Sequence, residues 1–391
     1  LLNSLQIAGG YSAAMQTTGP LVEIKGYLIM GGLLSLVLIL TPTSRQGSAE
    51  AVTRIGVALA SLLIGFLMFK AGVVRHDGHI LITAGGLLLL AVIAAWRVLG
   101  ITGHLWLKGL SLGTVFLGTY QLLGIPENHS YQQSNGRDIY LNHLLRERPK
   151  NALHWAAAYV FGRSEPDFLH HWEQAHKDIR ERQPLPSLEG RVDIYNWDQA
   201  VVLANGLTYA PRPIFQSYSA YSPALLQMNA NHLASDKGPD YILFAVQAID
   251  NRLPALEDGL SWPVLLTHYD AIDYQEPHLL LKRRHQGEKA LILGPPQETR
   301  LDWDAPLAIG SESGTAPCIW ASVHLRNTLA GRLITTAYKA PMVEMTVELT
   351  DGSSQRRRFI PGMGPTGFLL NPYVEEASDF DSLCMAKESP L

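Results

Sequence analysis

Four long apolar stretches without a single Asp, Glu, Lys or Arg occupy the first third of the chain: residues 26–44, 55–69, 78–96 and 109–126. A helix must bury its backbone polar groups internally to cross a bilayer, and about 20 apolar residues at 1.5 Å each cover a hydrocarbon core of about 30 Å. The second stretch reaches that length by continuing through Lys70 to Val74, with the Lys70 amine snorkelling to the interface. Residues 36–40 and 87–95 are apolar on all sides, whereas a water-facing helix would carry a polar stripe. The expectation is a membrane α-helical bundle over residues 1–126, with about four spans at 26–44, 55–74, 78–98 and 109–126.

Composition alone hides this. The 391 residues are 47% hydrophobic and 17% charged, as in a soluble protein. Residues 1–125 hold seven Lys/Arg and three Asp/Glu, while the other 266 residues hold 24 and 32. The acidic second part carries no basic footprint for nucleic acid, so that partner class is excluded and the bilayer is the first partner. Arg356–Arg358 is the one dense basic cluster, and its place after Asp351-Gly352 reads as a solvated hairpin.

Orientation follows from basic residues near the span ends. Arg45, Arg54, Arg97 and Lys108 flank the odd connections, against Lys25, Lys70 and Arg75 elsewhere. That places the odd connections in the cytoplasm, and the soluble region outside it. No acid or histidine lies mid-span, so the bundle reads as anchor or scaffold rather than a transport pathway. Gly109 and Gly113 form a GxxxG pair suited to close helix approach. The chain starts at Leu1 without a signal peptide's charged start, and is expected to be a piece of a longer or processed protein with further spans before it.

The remainder divides into a helical connector (127–186), a soluble α/β module (187–285) and a C-terminal β-sandwich (286–385). In the connector, Ser164 and Pro166 start a helix carrying His170, His171 and His176. Their spacing suits no helix-borne metal pair, HExxH is absent, and a solvated face is expected. From Gly190 strand-like alternation (residues 191–195, 240–246 and 279–281) alternates with helices opened near Asn196–Asp198 and at Ser222-Pro223, which implies a partly parallel sheet. Beyond residue 286, short strand candidates at 290–293, 318–325, 331–337, 343–349, 355–360 and 367–370 suggest the sandwich, with Asp351-Gly352 as a hairpin turn. Cys318 and Cys384 can form one disulfide if this part lies outside the cytoplasm. No CxxC, P-loop, GxSxG or dinucleotide fingerprint occurs, and no metal or cofactor is expected.

Two constellations stand out. The first is YAPRPIFQSYSAY (209–221), whose prolines stiffen a segment rich in aromatic and polar groups. With Asp193, Trp197 and Asp198 at the end of the first strand, Arg212, Gln216, Tyr218 and Tyr221 in the loop, and Asn229 on the next helix, it forms a candidate ligand site at strand carboxyl ends. Tyr faces and an Arg fork suit sugar rings, carboxylates or phosphates. The alternative is a stiff connection packing aromatics onto a sheet, with Arg212 paired to an acid. The second constellation is acidic: Asp250, Arg252, Glu257 and Asp258. Paired carboxylates can do acid–base work or bind calcium, but the spacing fits no EF-hand, and loop solvation is the other reading.

The runs GRVDIYNWDQAVVLANGLTYAPRPIFQSYSAYSPALLQMNANHL and PDYILFAVQAIDNRLPALEDG, within residues 186–284, resemble a recurring block of an uncharacterised family of bacterial multi-pass membrane proteins with a soluble C-terminal region. By layout alone the chain is also similar to polytopic lipid-linked-sugar glycosyltransferases, which place a soluble α/β module outside a helical bundle. Their early-loop acid has no clear counterpart here; Glu23 is the one acid before the first span. The resemblance implies a bacterial cell membrane location, with a module that binds or assembles envelope glycan or lipid-linked sugar. The alternatives are the C-terminal part of a glycosyltransferase-like enzyme, and a purely structural membrane protein.

Overall fold

The computed structural model describes residues 2–42, 48–101, 103–128, 146–161, 166–285, 294–309 and 318–385, and residues 287, 289 and 291 singly. The chain begins with helices α1 (Leu2–Ala14), α2 (Leu21–Leu40), α3 (Ser48–Val74), α4 (Ile80–Leu99), α5 (Leu105–Asn128) and α6 (Arg148–Phe161). Then follow α7 (Pro166–Arg182), β1 (Arg191–Tyr195), α8 (Gln199–Ala204), β2 (Thr208–Tyr209), α9 (Pro223–Ala234), β3 (Tyr241–Phe244) and α10 (Trp262–His268). The chain continues through β4 (Tyr269–Gln275), β5 (His278–Arg283), β6 (Ile319–Ala321), α11 (Leu329–Ala337), β7 (Val343–Glu348), β8 (Ser354–Phe359), β9 (Phe368–Asn371) and α12 (Ala377–Met385).

Two compact units result, each discontinuous in sequence. One contains Met15–Glu165 and Leu329–Ala340; the other contains Leu1–Ala14, Pro166–Thr328 and Pro341–Leu391.

The first unit is the helical bundle. Three of its helices are long and apolar enough to cross a membrane: Leu21–Leu40, Ala51–Val74 and Ile80–Leu99. The fourth expected span is helical too, as α5, but Lys108, Ser111, Thr114, Thr119 and Gln121 dilute its apolar character, and it is not among the three. On α4 the buried positions Ile80, Ala84, Leu87, Ala91, Ala94 and Val98 follow a three–four spacing, so one seam of mostly small residues faces the neighbouring helices. They join Ile24, Tyr27, Met30 and Val73 in one cluster and Leu34, Val37, Ala58 and Leu107 in another. The outward faces are equally apolar: Leu59, Leu63 and Leu67 on α3 and Leu89, Ile93 and Trp96 on α4 are exposed. A water-soluble bundle would place polar groups there; lipid tails accept these. Gly109 and Gly113 face open space, so the GxxxG pair makes no helix contact; the close approaches are Gly118 to Met30 and Gly26 to Gln121. At one end, Glu23 in the first turn of α2 bonds His76 (2.7 Å), with both buried, and Thr17 N–H donates to Val74 O (3.0 Å). The start of α2 and the end of α3 therefore lie together.

The second unit is built on a mixed five-stranded sheet of order β2-β1-β3-β5-β4. β1 pairs in parallel with β2 and β3, while β3–β5 and β5–β4 are antiparallel. Alternation assigns the faces. Val192, Ile194, Leu243 and Leu280 pack with Val201, Val202 and Ile179 on one side. Tyr195, Ile242, Phe244, Leu279 and Leu281 pack with Trp262, Leu265 and Phe380 on the other. Helices thus cover both faces, as expected for the α/β module. β4 escapes the sequence pattern because it is an edge strand with alternate polar residues, YDAIDYQ.

The expected C-terminal β-sandwich is not seen among the described residues. Among the described residues beyond 286, the strands form two separate two-stranded ladders, β6–β9 and the β7–β8 hairpin. The hairpin turn is as expected, with Gly352 at φ +83°. Residues 331–337, read as a strand, belong instead to helix α11, where Thr335 and Thr336 bond the carbonyls four residues back (2.8 and 2.9 Å). Of the strand candidate at 290–293, residues 290, 292 and 293 lie outside the described residues. Cys318 and Cys384 are free thiols.

Candidate functional site

β1 ends in Asp193-Ile194-Tyr195, and the pleat turns Asp193 and Tyr195 to the same face. The stiff loop 209–221 folds back along β1, with Ala210 N–H donating to Val192 O (2.9 Å) and Ser217 N–H to Asn196 O (3.0 Å), and inserts Arg212 there. In open α/β sheets the crevice at strand carboxyl ends takes a ligand; here the chain's own guanidinium fills it. Arg212 Nη1 contacts Asp193 Oδ2 (2.9 Å), its Nε lies 3.2 Å from Asp258 Oδ2, and its Nη2 donates to Ser217 Oγ (2.7 Å). Its plane stacks on Tyr195, 4.4 Å from the ring centroid. All three ionic side chains are fully buried.

The surrounding groups complete the network. Asn229 donates to Asp258 Oδ2 (2.9 Å) and Ile214 O (3.0 Å), and accepts from Ile214 N–H (2.8 Å). Ser261 donates to the other Asp258 oxygen (2.9 Å), and Tyr195 donates to Asp258 O (2.8 Å). Asp258 takes the left-handed conformation (φ +52°). Burial raises Asp258 to about 6 despite Arg212, and also raises Asp193. Burial opposes the Arg212 charge, and the two carboxylates outweigh that, so its pKa lies above the ordinary value.

A second buried arginine performs a related task. Arg252 donates to Tyr218 O (2.9 Å), Glu257 Oε1 (3.3 Å) and Ala14 O (2.8 Å). Arg358 donates to Ala14 O (2.8 Å) and Ala13 O (3.2 Å), and lies 3.6 Å from Asp250. Helix C-termini leave carbonyls without intrahelical partners and carry partial negative charge, so two guanidiniums cap α1 there. Tyr221 completes the seat: it donates to Ile7 O (2.7 Å), and its ring lies where a side chain at Gly10 would sit. The basic run is corrected accordingly. Arg356 is exposed and pairs with Glu344, but Arg357 reaches Tyr373 (2.9 Å), Asn251 (3.0 Å) and Glu375, and Arg358 is buried. Burial pushes Glu257 up to about 7, against the pull of Arg252.

The two constellations are therefore one. Asp193, Arg212 and Asn229 meet Asp258 from the acidic set, while Tyr218, Tyr221, Asp250, Arg252 and Glu257 hold α1. Asp193, Arg212, Tyr221, Asn229, Arg252, Glu257 and Asp258 are buried and Tyr218 and Asp250 half-buried, and Arg212 pairs with acids as in the second reading of the loop. Asp258 and Glu257 are interior rather than loop-solvated. Trp197 stands apart: its ring is 41% exposed and its Nε1 donates to Gln247 O (3.3 Å). Phe215 is 48% exposed, and Gln199 donates to its carbonyl (2.9 Å). Gln216 and Asp198 are half-buried, Asp198 at the start of α8. The sequence reading missed Tyr195, Ser261, Arg358 and Phe215. Only Ser261, three residues after Asp258, carried a local signal. His170 and His171 are exposed and His176 lies 4.2 Å from the Trp172 ring, and the described residues hold no group of three or more His, Cys, Asp or Glu placed for a metal.

Comparison with known proteins finds no matching family model, no matching curated protein and no matching solved structure.

Proposed function

We propose that the chain is a multi-pass membrane protein whose α/β unit is a non-catalytic recognition module for envelope glycan, facing away from the cytoplasm. One observation carries this: the ionisable groups at the strand ends are closed into an internal network, while two aromatic rings, Trp197 and Phe215, stay open at its rim. A ring face flanked by amide and carboxylate groups (Gln199, Asp198) matches a sugar, which has an apolar C–H face and a hydroxyl edge.

Four crossings suit this reading. The sequence carries four long uncharged apolar stretches, at residues 26–44, 55–69, 78–96 and 109–126. Beside the three apolar spans, α5 supplies the fourth: 24 residues reach about 36 Å. Leu112, Phe116 and Tyr120 are exposed on it, and its Ser111, Thr114 and Thr119 hydroxyls bond its own carbonyls. The basic bias of the far connections then puts the α/β unit outside.

The test is a glycan array and titration with peptidoglycan fragments and lipid-linked sugars, using the full chain in lipid nanodiscs. Wild type is expected to retain a glycan and Trp197→Ala to lose it with unchanged thermal unfolding. Failure to retain any envelope glycan would overturn the reading.

A further inference from the structure

Helix α11 lies in the bundle unit although it comes late in the chain, and its polarity is inverted. Around the helix, Leu329, Leu333, Ala337, Ala330 and Ile334 form one continuous apolar arc, with Gly331 and Thr335 opposite and Arg332 at its edge. A helix of a water-soluble protein turns such an arc inward. Here Gly331 and Thr335 are the half-covered positions, while Leu329, Leu333 and Ile334 are 76%, 64% and 54% exposed. The attachment is polar and fixed. Lys70 of α3 donates to Thr335 O (2.9 Å) and Tyr338 O (2.5 Å), and Lys339 donates to Thr17 O (2.7 Å) and Val73 O (3.4 Å). These contacts set α11 at the level where α3 ends and α2 begins. Tyr338 packs against the bundle core beside Phe69.

We infer that α11 is an interfacial helix: it lies in the headgroup layer of the bilayer that holds the bundle, with Leu329, Leu333 and Ile334 in the acyl boundary. Two further facts specify the occupant as lipid. The apolar arc is exposed as the outward apolar face of α3 is (Leu59, Leu63, Leu67), and Lys70 and Val73 near the end of α3 hold the segment. Nine residues reach only about 14 Å, too short to cross, and the chain returns at Pro341 to the unit it left at Thr328. The segment therefore dips to the surface and leaves on the same side. Arg332, exposed beside the arc, suits anionic headgroups. This inference stands apart from the glycan reading.

The unmodified full chain is placed in nanodiscs containing a phospholipid with a diazirine near the top of its acyl chain, illuminated, and mapped by mass spectrometry. Adducts are expected on Leu329, Leu333 or Ile334 as well as on α3 and α4. Adducts on α3 and α4 with none on 326–338 overturn the inference, and adducts nowhere overturn it with the membrane reading. Spin labels at Leu333→Cys and Arg332→Cys, in a Cys318→Ser/Cys384→Ser background, give a second reading. The ratio of oxygen to water-soluble nickel collisions should be several-fold higher at 333. Equal ratios, or dipolar broadening at 333 that disappears on dilution with unlabelled chain, would mean water or a second copy covers the face and would overturn it.

Discussion

Replacing Arg212 by Met removes the one cation between Asp193 and Asp258 while keeping much of the side-chain volume. The loss comprises the 2.9 and 3.2 Å ion contacts, the bond to Ser217 and the stacking on Tyr195. Both carboxylates stay at 0% exposure, with Asp193 still accepting from Ile194 N–H (2.8 Å) and Asp258 from Asn229 and Ser261. Removing one partner of a buried ion pair costs about 3–5 kcal/mol, since the remaining charge cannot reach water. For a unit of this size, at about 2–4 °C per kcal/mol, the unfolding midpoint should fall by roughly 6–20 °C. The triple variant Asp193→Asn/Arg212→Met/Asp258→Asn removes every charge together and should recover most of that loss. The assay is thermal unfolding of the full chain in nanodiscs, followed by near-ultraviolet circular dichroism. An unchanged midpoint in Arg212→Met, or a triple variant no better than the single one, would refute the view that this network is a structural lock.

Three further outcomes follow from the same unit. Glu257 has its pKa raised from 4.5 to about 7, so its favourable contribution is complete below 4.5 and disappears as pH rises through about 7. Glu257→Gln should therefore stabilise the unit by up to about 3 kcal/mol at pH 8 and by nothing near pH 4.5, and equal effects at the two pH values would contradict this. Gly367 sits at φ +89° with Trp320 Nε1 2.0 Å from the place of a Cβ, so Gly367→Ala should cost more than about 1 kcal/mol in chemical denaturation. Gly9→Ala, with open space around a helical site, should be neutral or stabilising by up to about 1 kcal/mol.

How far the sequence led depends on how local each determinant is. The three apolar spans and the β1, β3 and β5 segments were legible because hydrophobicity repeats along neighbouring residues. α5 was legible as a helix, but Lys108 and its Ser, Thr and Gln residues dilute the apolar signal that marks the other three. α11 was misread because Leu-Ile-Thr-Thr suits a strand, and only the 329, 333, 337 spacing shows a helix. The loop 209–221 displayed the right chemistry with the wrong purpose. Residue types announce what Arg212 can bind, but its partners lie 19 and 46 positions away, and no local pattern encodes that pairing. Arg358 was taken as solvated for the same reason, since its acceptors belong to α1.

The discontinuity of both units has a consequence for biogenesis. The bundle helices leave the ribosome first, but the bundle receives α11 only after the whole stretch 166–328 has been made. The carbonyls at the end of α1 wait through the whole run of bundle helices for Arg252, and longer still for Arg358. Such long sequence separation delays closure of native contacts and leaves early segments open to chaperones and insertion machinery. A nascent chain halted before residue 329 should therefore hold inserted spans but an unsealed bundle end, and commitment to the native state is deferred until the residues from 329 onward have been made.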